Sequence, residues 1–127
     1  MFKDILKKTY LIFNKVKVVH SIPGRIRLFI PSLDEFPEQM KKHEGYITAI
    51  IKLKNGINSI EYSYLTSKIL IEYDKTKLKE QDIVDWLNKI WKIIVDNEEI
   101  YQGMSVDEVD KNVKKFYEML KSELEGR

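Results

Sequence analysis

The sequence contains no cysteine among its 127 residues. This single absence excludes disulfide bonds, thiolate metal sites and a cysteine nucleophile. Soft metals such as Cu(I), which prefer sulfur ligands, therefore cannot be held through cysteine thiolates in this chain. The absence is also consistent with a reducing compartment, where disulfides are rare.

Long apolar runs are lacking as well. No stretch of about 18 apolar residues occurs, so the sequence predicts no membrane-spanning helix. The N-terminus has neither the apolar core nor the small-residue cleavage site of a secretory signal. We therefore expect a cytoplasmic protein, and attachment to a membrane or compartment surface stays open.

Catalytic and metal-binding motifs are also missing. There is no Gly-x-Ser-x-Gly, no glycine loop that could cradle a phosphate and no evident pair of carboxylates, so we predict a protein without enzymatic activity or cofactor. The two histidines, His20 and His43, lack metal-ligand spacing. A hard ion such as Fe²⁺ could use His20 with Asp34 and Glu35. Since no pattern brings these three together, we predict no metal ligands.

Charge is unevenly distributed along a nearly neutral chain. The formal net charge is only +2, and the composition, 43% hydrophobic and 33% charged, is that of a folded globular protein. Residues 1–33 nevertheless carry seven basic side chains against the single acid Asp4, whereas acids outnumber bases over residues 96–127. Such ends could attract each other or two different partners, or they could be solvated faces that merely differ.

Hydrophobic periodicity divides the chain into alternating helices and strands. Residues 2–13 are predicted to form a short basic amphipathic helix that either docks on its own domain or touches a membrane surface or partner. Pro23-Gly24 separates two stretches of strand periodicity, at residues 15–20 and 25–30, which predict either two strands around a turn or one long strand with a kink. The remaining predicted elements are a helix over 35–54, strands over 57–64 and 68–74, a helix over 79–95, and a helix over 105–125 with a Ser105–Glu108 capping box.

The order of these elements predicts an α+β fold. Strand, helix, strand, strand, helix is the split βαβ order of a ferredoxin-like sandwich, here with additional N- and C-terminal helices. The fourth strand is ambiguous, since either residues 15–20 or residues 99–102 could supply it. We divide the chain into an N-terminal amphipathic helix (1–14), the ferredoxin-like domain (15–102) and a C-terminal amphipathic helix (103–127). The apolar stripe of this last helix must bury against its own domain or a second copy.

Alternation in the strand after Pro23-Gly24 predicts which side chains face outward. If Ile26 and Leu28 point towards the helices, then Arg25, Arg27 and Phe29 point to the uncovered face of the sheet. Glu61 and Glu72 should also face outward, and either arginine should lie near Glu72. The arginines could therefore form cross-strand ion pairs, or they could be free to bind a partner.

The stretch at residues 18–28, Val-Val-His-Ser-Ile-Pro-Gly-Arg-Ile-Arg-Leu, resembles a cysteine-free type of heavy-metal-associated domain. Such domains occur at the N-termini of some heavy-metal P-type ATPases and as small stand-alone proteins associated with ferrosomes, which are iron-storage compartments. Residues 53–57 and 67–74 support the resemblance, which extends over roughly residues 15–95. Copper- or zinc-carrying members have a Cys-x-x-Cys pair where this chain has Pro31-Ser-Leu-Asp34.

The resemblance implies a binding or adaptor role in metal homeostasis, with iron as the first choice. The partner-binding residues would be His20, Pro23, Gly24, Arg25 and Arg27. The expected partner is a membrane metal ATPase or a component of a storage compartment. A homodimer through the C-terminal helix and peripheral membrane contact through residues 2–13 are further expectations.

Nucleic-acid binding is the rival class of function. An open ferredoxin-like sheet bearing Arg25, Arg27 and Phe29 could stack on and clamp single-stranded RNA. The nearly neutral net charge and the missing aromatic RNP pattern argue against it. The adaptor is therefore the leading hypothesis, and RNA binding is the alternative.

Overall fold

The computed structural model describes residues 17–30, 33–35, 37–101 and 103–126. The helix predicted over residues 2–13 lies outside this part of the chain. The described strands are β1 (Lys17–Ile22), β2 (Arg25–Phe29), β3 (Ile57–Ser63) and β4 (Lys68–Tyr73). The described α-helices are α1 (Glu38–Lys41), α2 (Glu44–Ile51), α3 (Glu80–Asp96), α4 (Val106–Lys111) and α5 (Val113–Glu125). Short 3₁₀ turns occupy Leu33–Glu35 and Glu98–Ile100.

The four strands form one antiparallel sheet in the order β1-β2-β4-β3. This confirms the α+β class and a ferredoxin-like arrangement with extra helices. It also resolves the ambiguity over the fourth strand: β1 pairs with β2 at the sheet edge, whereas residues 98–100 form a 3₁₀ turn. The edge position next to β2 is thus filled from the N-terminal side of the chain.

Two of the predicted helices are interrupted. The helix predicted over 35–54 is replaced by a 3₁₀ turn and the separate helices α1 and α2, and the break falls at Lys42 and His43. The C-terminal helix breaks at Asn112, whose φ of −111° and ψ of 11° leave the helical region. The first break lies where the His43 side chain is hydrogen-bonded to Asp110 of α4, a residue far away in the chain. The predicted capping box is confirmed, with Ser105 and Glu108 bonded reciprocally.

The core lies between one face of the sheet and the helices. Ile26 and Leu28 of β2, Ile71 of β4 and Ile83 of α3 have no exposed surface. Trp86 of α3 donates its indole N–H to the backbone oxygen of Ile51, 2.8 Å away, which satisfies a carbonyl at the end of α2. Because burial of apolar area is the main stabilising term, this layer accounts for most of the folding free energy.

The C-terminal helices pack on their own domain. Leu120 and Leu124 of α5 belong to the same core cluster as the sheet residues, so the apolar stripe predicted there is buried within the chain. No helix of the described residues is long and apolar enough to cross a membrane. Pairing of two copies through this helix stays a prediction.

A polar seam pins α4 to α1 and to the turn after it. Asp110 accepts hydrogen bonds from the His43 ring and from the Lys42 ammonium, the latter at 3.2 Å. Gln39 donates to Asp107 at 2.8 Å. The hydrogen bond from His43 is the main reason that the pKa of Asp110 lies below its ordinary value, and Lys42 adds to the effect. We call His43, Lys42, Gln39, Asp107 and Asp110 the clasp.

A substitution at Gly56 tests the backbone conformation of the connection between α2 and β3. Its φ is +108°, and a Cβ there would lie 3.0 Å from Leu78 Cδ1. We expect Gly56→Ala to lower the free energy of unfolding by at least about 1 kcal/mol in urea titrations. Gly45→Ala is the control, because a Cβ in α2 meets nothing within 4 Å. It should raise stability by up to about 1 kcal/mol, and a loss there would contradict the assignment of α2.

The clasp predicts that the free energy of unfolding falls at acidic pH. Since the pKa of Asp110 is lowered in the folded state, its contribution is present above the unfolded-state value of 3.8 and is lost as pH falls through the folded value. Urea unfolding of Asp110→Asn should therefore depend less on pH below about 4 than that of the parent chain. Glu118→Gln, at an exposed position of α5, is the control. If both variants show the parent's pH profile, Asp110 has no such role.

Candidate partner-binding face

The sequence motif His20–Arg27 forms the β1–β2 hairpin. Pro23 and Gly24 make the turn, and Gly24 has a φ of +90° that L-residues rarely adopt. The Gly24 carbonyl accepts a hydrogen bond of 2.9 Å from the backbone N–H of Tyr73 at the end of β4. A Cβ at position 24 would lie 3.3 Å from the Tyr73 oxygen, so glycine also allows a close approach of the two backbones. The turn is therefore anchored to the central strands.

A β-bulge in β1 decides where His20 points. The register passes from Val18 opposite Leu28 to His20 opposite Arg27, so Val19 is the extra residue. Strict alternation would place Val18 and His20 on one side of the sheet. The bulge instead puts His20 on the side of Arg27, away from the helices.

The face of the sheet opposite the helices carries the predicted site; we call it the open face. Register pairing aligns three rows of side chains across it. These rows consist of Ile22, Arg25, Glu72 and Ser59; of His20, Arg27, Leu70 and Glu61; and of Lys17, Phe29, Lys68 and Ser63. The hairpin thus brings His20, Arg25 and Arg27 together, while Pro23 and Gly24 form the turn at its end.

The outward orientation predicted for the arginines is confirmed. Arg25 and Arg27 are exposed, whereas Ile26 and Leu28 between them have no exposed surface. Glu61 and Glu72 are exposed as expected, and Arg25 stands directly opposite Glu72. Within the described part of the chain, however, neither arginine forms an ion pair or a side-chain hydrogen bond. Their guanidinium donors are consequently available to a partner.

Charge is unevenly distributed across the open face. Lys17, Arg25 and Arg27 lie on β1 and β2, whereas β3 and β4 carry Glu61 and Glu72 together with one base, Lys68. The cationic half is formed by the edge hairpin, where a partner can approach from the front or from the side. An acidic surface aligned with β1 and β2 would meet complementary charge.

Two apolar residues of the open face were not singled out by sequence reasoning. Leu70 is only 9% exposed although it points away from the helices. It lies in register between Arg27 and Glu61, whose long side chains can cover it. Ile22, beside Arg25, is 48% exposed. The alternation within β4 could have identified Leu70, but the hydrophobic run Ile69-Leu70-Ile71 obscures that signal.

The two tyrosines at the end of β3, by contrast, face the helices. Tyr62 shares a 3.0 Å hydrogen bond with Thr48, and Tyr64 donates to Glu44 at 3.0 Å. Burial raises the pKa of Tyr62 to about 12, and burial followed by the bond to Glu44 raises the pKa of Tyr64 further. Both phenols therefore stay neutral and hydrogen-bonded at physiological pH. Phe29 is the aromatic residue that the described strands place on the open face.

The described His, Asp and Glu side chains are not arranged as the ligands of a metal site would be. Among the described residues, no three His, Asp or Glu side chains come together. The Ser67 hydroxyl donates a hydrogen bond of 3.1 Å to the Asp34 carboxylate. The backbone N–H of Asp34 in turn donates to the Ser67 hydroxyl oxygen at 3.3 Å. Ser67 lies in the turn that precedes β4, whereas His20 lies opposite Arg27 in the middle of β2. The structure thus assigns Asp34 a role in closing the loop after β2.

Comparison with known proteins gives one match. A family model described as heavy metal associated domain 2 matches residues 2–126. The match includes both terminal segments, which lie beyond the 15–95 range in which the sequence motifs resemble such domains. No curated protein and no solved structure matches the chain.

The surroundings of His20 predict its response to metal. Because His20 belongs to no group of three or more His, Asp or Glu side chains among the described residues, we expect Fe(II) or Zn(II) to leave its imidazole resonances unshifted in an NMR titration. His43, which is bonded to Asp110, serves as the internal reference. A stoichiometric, saturable shift of His20 alone would contradict this prediction.

Proposed function

The chain belongs to the heavy metal associated domain 2 family, and we propose that it is a non-enzymatic adaptor in metal homeostasis. In this proposal the cationic half of the open face binds an acidic surface of a protein partner. That partner is the cytoplasmic part of a metal-transporting P-type ATPase or a component of an iron-storage compartment. The metal itself is handled by the partner.

The observation that carries the proposal is the state of the two arginines. Arg25 and Arg27 are exposed, lie on one face of a central strand and make no ion pair or side-chain hydrogen bond within the described part of the chain. Guanidinium groups bind carboxylates through two parallel hydrogen bonds, which makes arginine well suited to recognising acidic surfaces. A rigid strand with a turn anchored at Gly24 holds both groups in a defined geometry before binding.

The available ligand chemistry also supports a role in which the partner, not this chain, binds the metal. The family description refers to heavy metals, but this chain has no cysteine to bind soft ions as thiolates. The described residues contain no cluster of hard ligands either. Iron is our choice of metal because of the resemblance of residues 18–28 to stand-alone ferrosome-associated domains.

The distribution of aromatic side chains favours a protein partner over RNA. Modules that bind single strands on an open sheet stack bases on several exposed rings. Here Tyr62, Tyr64 and Tyr73 lie on the helix side, and Phe29 is half-buried. A cationic strand with so little stacking surface is better suited to carboxylates than to bases.

Replacing both arginines tests the proposal. We expect Arg25→Ala/Arg27→Ala to weaken binding to the purified cytoplasmic part of the metal ATPase from the same organism by at least tenfold, measured by calorimetry. One hydrogen bond to a charged group contributes about 1.5–3 kcal/mol, and about 1.4 kcal/mol corresponds to tenfold. Binding by the parent chain should also weaken with added salt.

The matched control removes the same charge elsewhere. Lys114 and Lys115 are exposed on α5, so Lys114→Ala/Lys115→Ala should bind like the parent. Equal losses in both variants would indicate a response to net charge rather than to the open face. Unchanged binding of the arginine variant, or tighter binding of a single-stranded oligonucleotide than of the acidic partner, would reject the adaptor proposal.

A further inference from the structure

A cavity of about 240 Å³ lies on the other side of the sheet from the arginines. Its walls come from the sheet, from α2 and α3, and from the α4–α5 hairpin, with Ile50, Ile69, Ile90, Val113 and Phe116 among the lining residues. The cavity is only partly enclosed, so it has an entrance. It is independent of the proposed partner-binding face.

The lining is almost entirely carbon. Three hydroxyls of the lining residues are engaged elsewhere: that of Tyr62 with Thr48, that of Tyr64 with Glu44, and that of Tyr101 with the Ile94 carbonyl. A water molecule in a cavity needs two to four polar partners. This interior does not provide them, so it favours an apolar occupant over water.

Aromatic and polar contacts join the elements that form the walls. Tyr46 of α2 packs on Tyr117 of α5 with ring centroids 5.1 Å apart, and Tyr101 meets Phe116 edge to face at 6.4 Å. The clasp joins α4 to the turn after α1 through His43, which itself lines the cavity. Pre-formed apolar pockets of this kind are typical of ligand sites.

We propose that this cavity binds a hydrocarbon chain of about ten carbon atoms. An apolar cavity of 150 Å³ holds benzene, with six carbons, and 240 Å³ is 1.6 times that volume, which gives room for roughly ten. The shared chemistry is an unbranched alkyl or acyl tail, whether it comes from a free fatty acid or from a neutral lipid.

The charges around the cavity do not select a headgroup. Lys41 is paired with Glu38 at 2.8 Å, and Lys42 and His43 are both bonded to Asp110. Glu44 accepts the Tyr64 hydroxyl. The two lysines are paired with Glu38 and Asp110, and the charge that is left, on Glu44, is negative and attracts no acidic headgroup. Recognition therefore rests on the tail, and a polar head would stay in solvent at the entrance.

A chain-length series on the full protein tests the tail. Sodium hexanoate, octanoate, decanoate and dodecanoate, each below its micelle concentration, are titrated by calorimetry. We expect affinity to rise about fourfold per added methylene and to level off near ten carbons. If only the tail is recognised, the affinity for decan-1-ol should lie within a few-fold of that for decanoate. Much tighter binding of one of the two identifies the source of the chain.

A filling variant tests the location. Val113→Phe places a larger side chain in the cavity wall and should abolish decanoate binding. Val84→Phe makes the same change on α3 outside the cavity lining and should bind like the parent. Circular dichroism shows whether each variant is folded.

Methyl NMR of the parent chain gives an answer that needs no variant. Decanoate should shift the methyl resonances of Ile50, Ile69, Ile90 and Val113 in a saturable way. Shifts confined to the exposed apolar residues of β1, Val18, Val19 and Ile22, would place the tail on the sheet edge and overturn the proposal. Affinity that does not depend on chain length, or no saturable binding of decanoate, would overturn it as well.

Discussion

The strict alternation of β2 is the constraint on which the rest of the structure depends. Side chains of a strand point to opposite faces with a period of two, so Ile26 and Leu28 can be fully buried only if Arg25 and Arg27 point away from them. Because β2 is a central strand, its register sets the rows on both faces of the sheet. The core under the helices and the cationic half of the open face therefore have the same origin, and neither can shift without the other.

Because β1 is the edge strand beside β2, the C-terminal part of the chain does not have to supply a strand to the sheet. In a ferredoxin-like sheet a strand after the second long helix usually fills that edge. Here β1 fills it from the N-terminal side, so the chain after α3 continues as α4 and α5. These helices pack on the domain through Leu120 and Leu124, and the clasp holds them there. The apolar cavity lies between this added hairpin, α2, α3 and the sheet, and the Tyr46 and Tyr117 rings that line it pack together across α2 and α5.

The two faces of the sheet thus have different chemistry. The open face has charged donors without partners among the described residues, which suits an acidic protein surface. The helix side has an interior whose lining is almost entirely carbon, and the hydroxyls of Tyr62, Tyr64 and Tyr101 there are already hydrogen-bonded. Since water finds few polar partners in such an interior, an apolar molecule is the occupant that suits it.

The sequence by itself determined the local features of this protein. Periodicity located the described strands and predicted that Arg25 and Arg27 face outward, and residue type located the turn at Pro23-Gly24 and the capping box at Ser105. Two of the predicted helices are interrupted in the structure. Tertiary structure alone decided which segment completes the sheet, because residues 15–20 and 99–102 were equally compatible with pairing. It also placed the bulge at Val19, the break at His43 and the cavity. Those features depend on contacts between residues far apart in the chain, such as His43 with Asp110, and no local pattern encodes them.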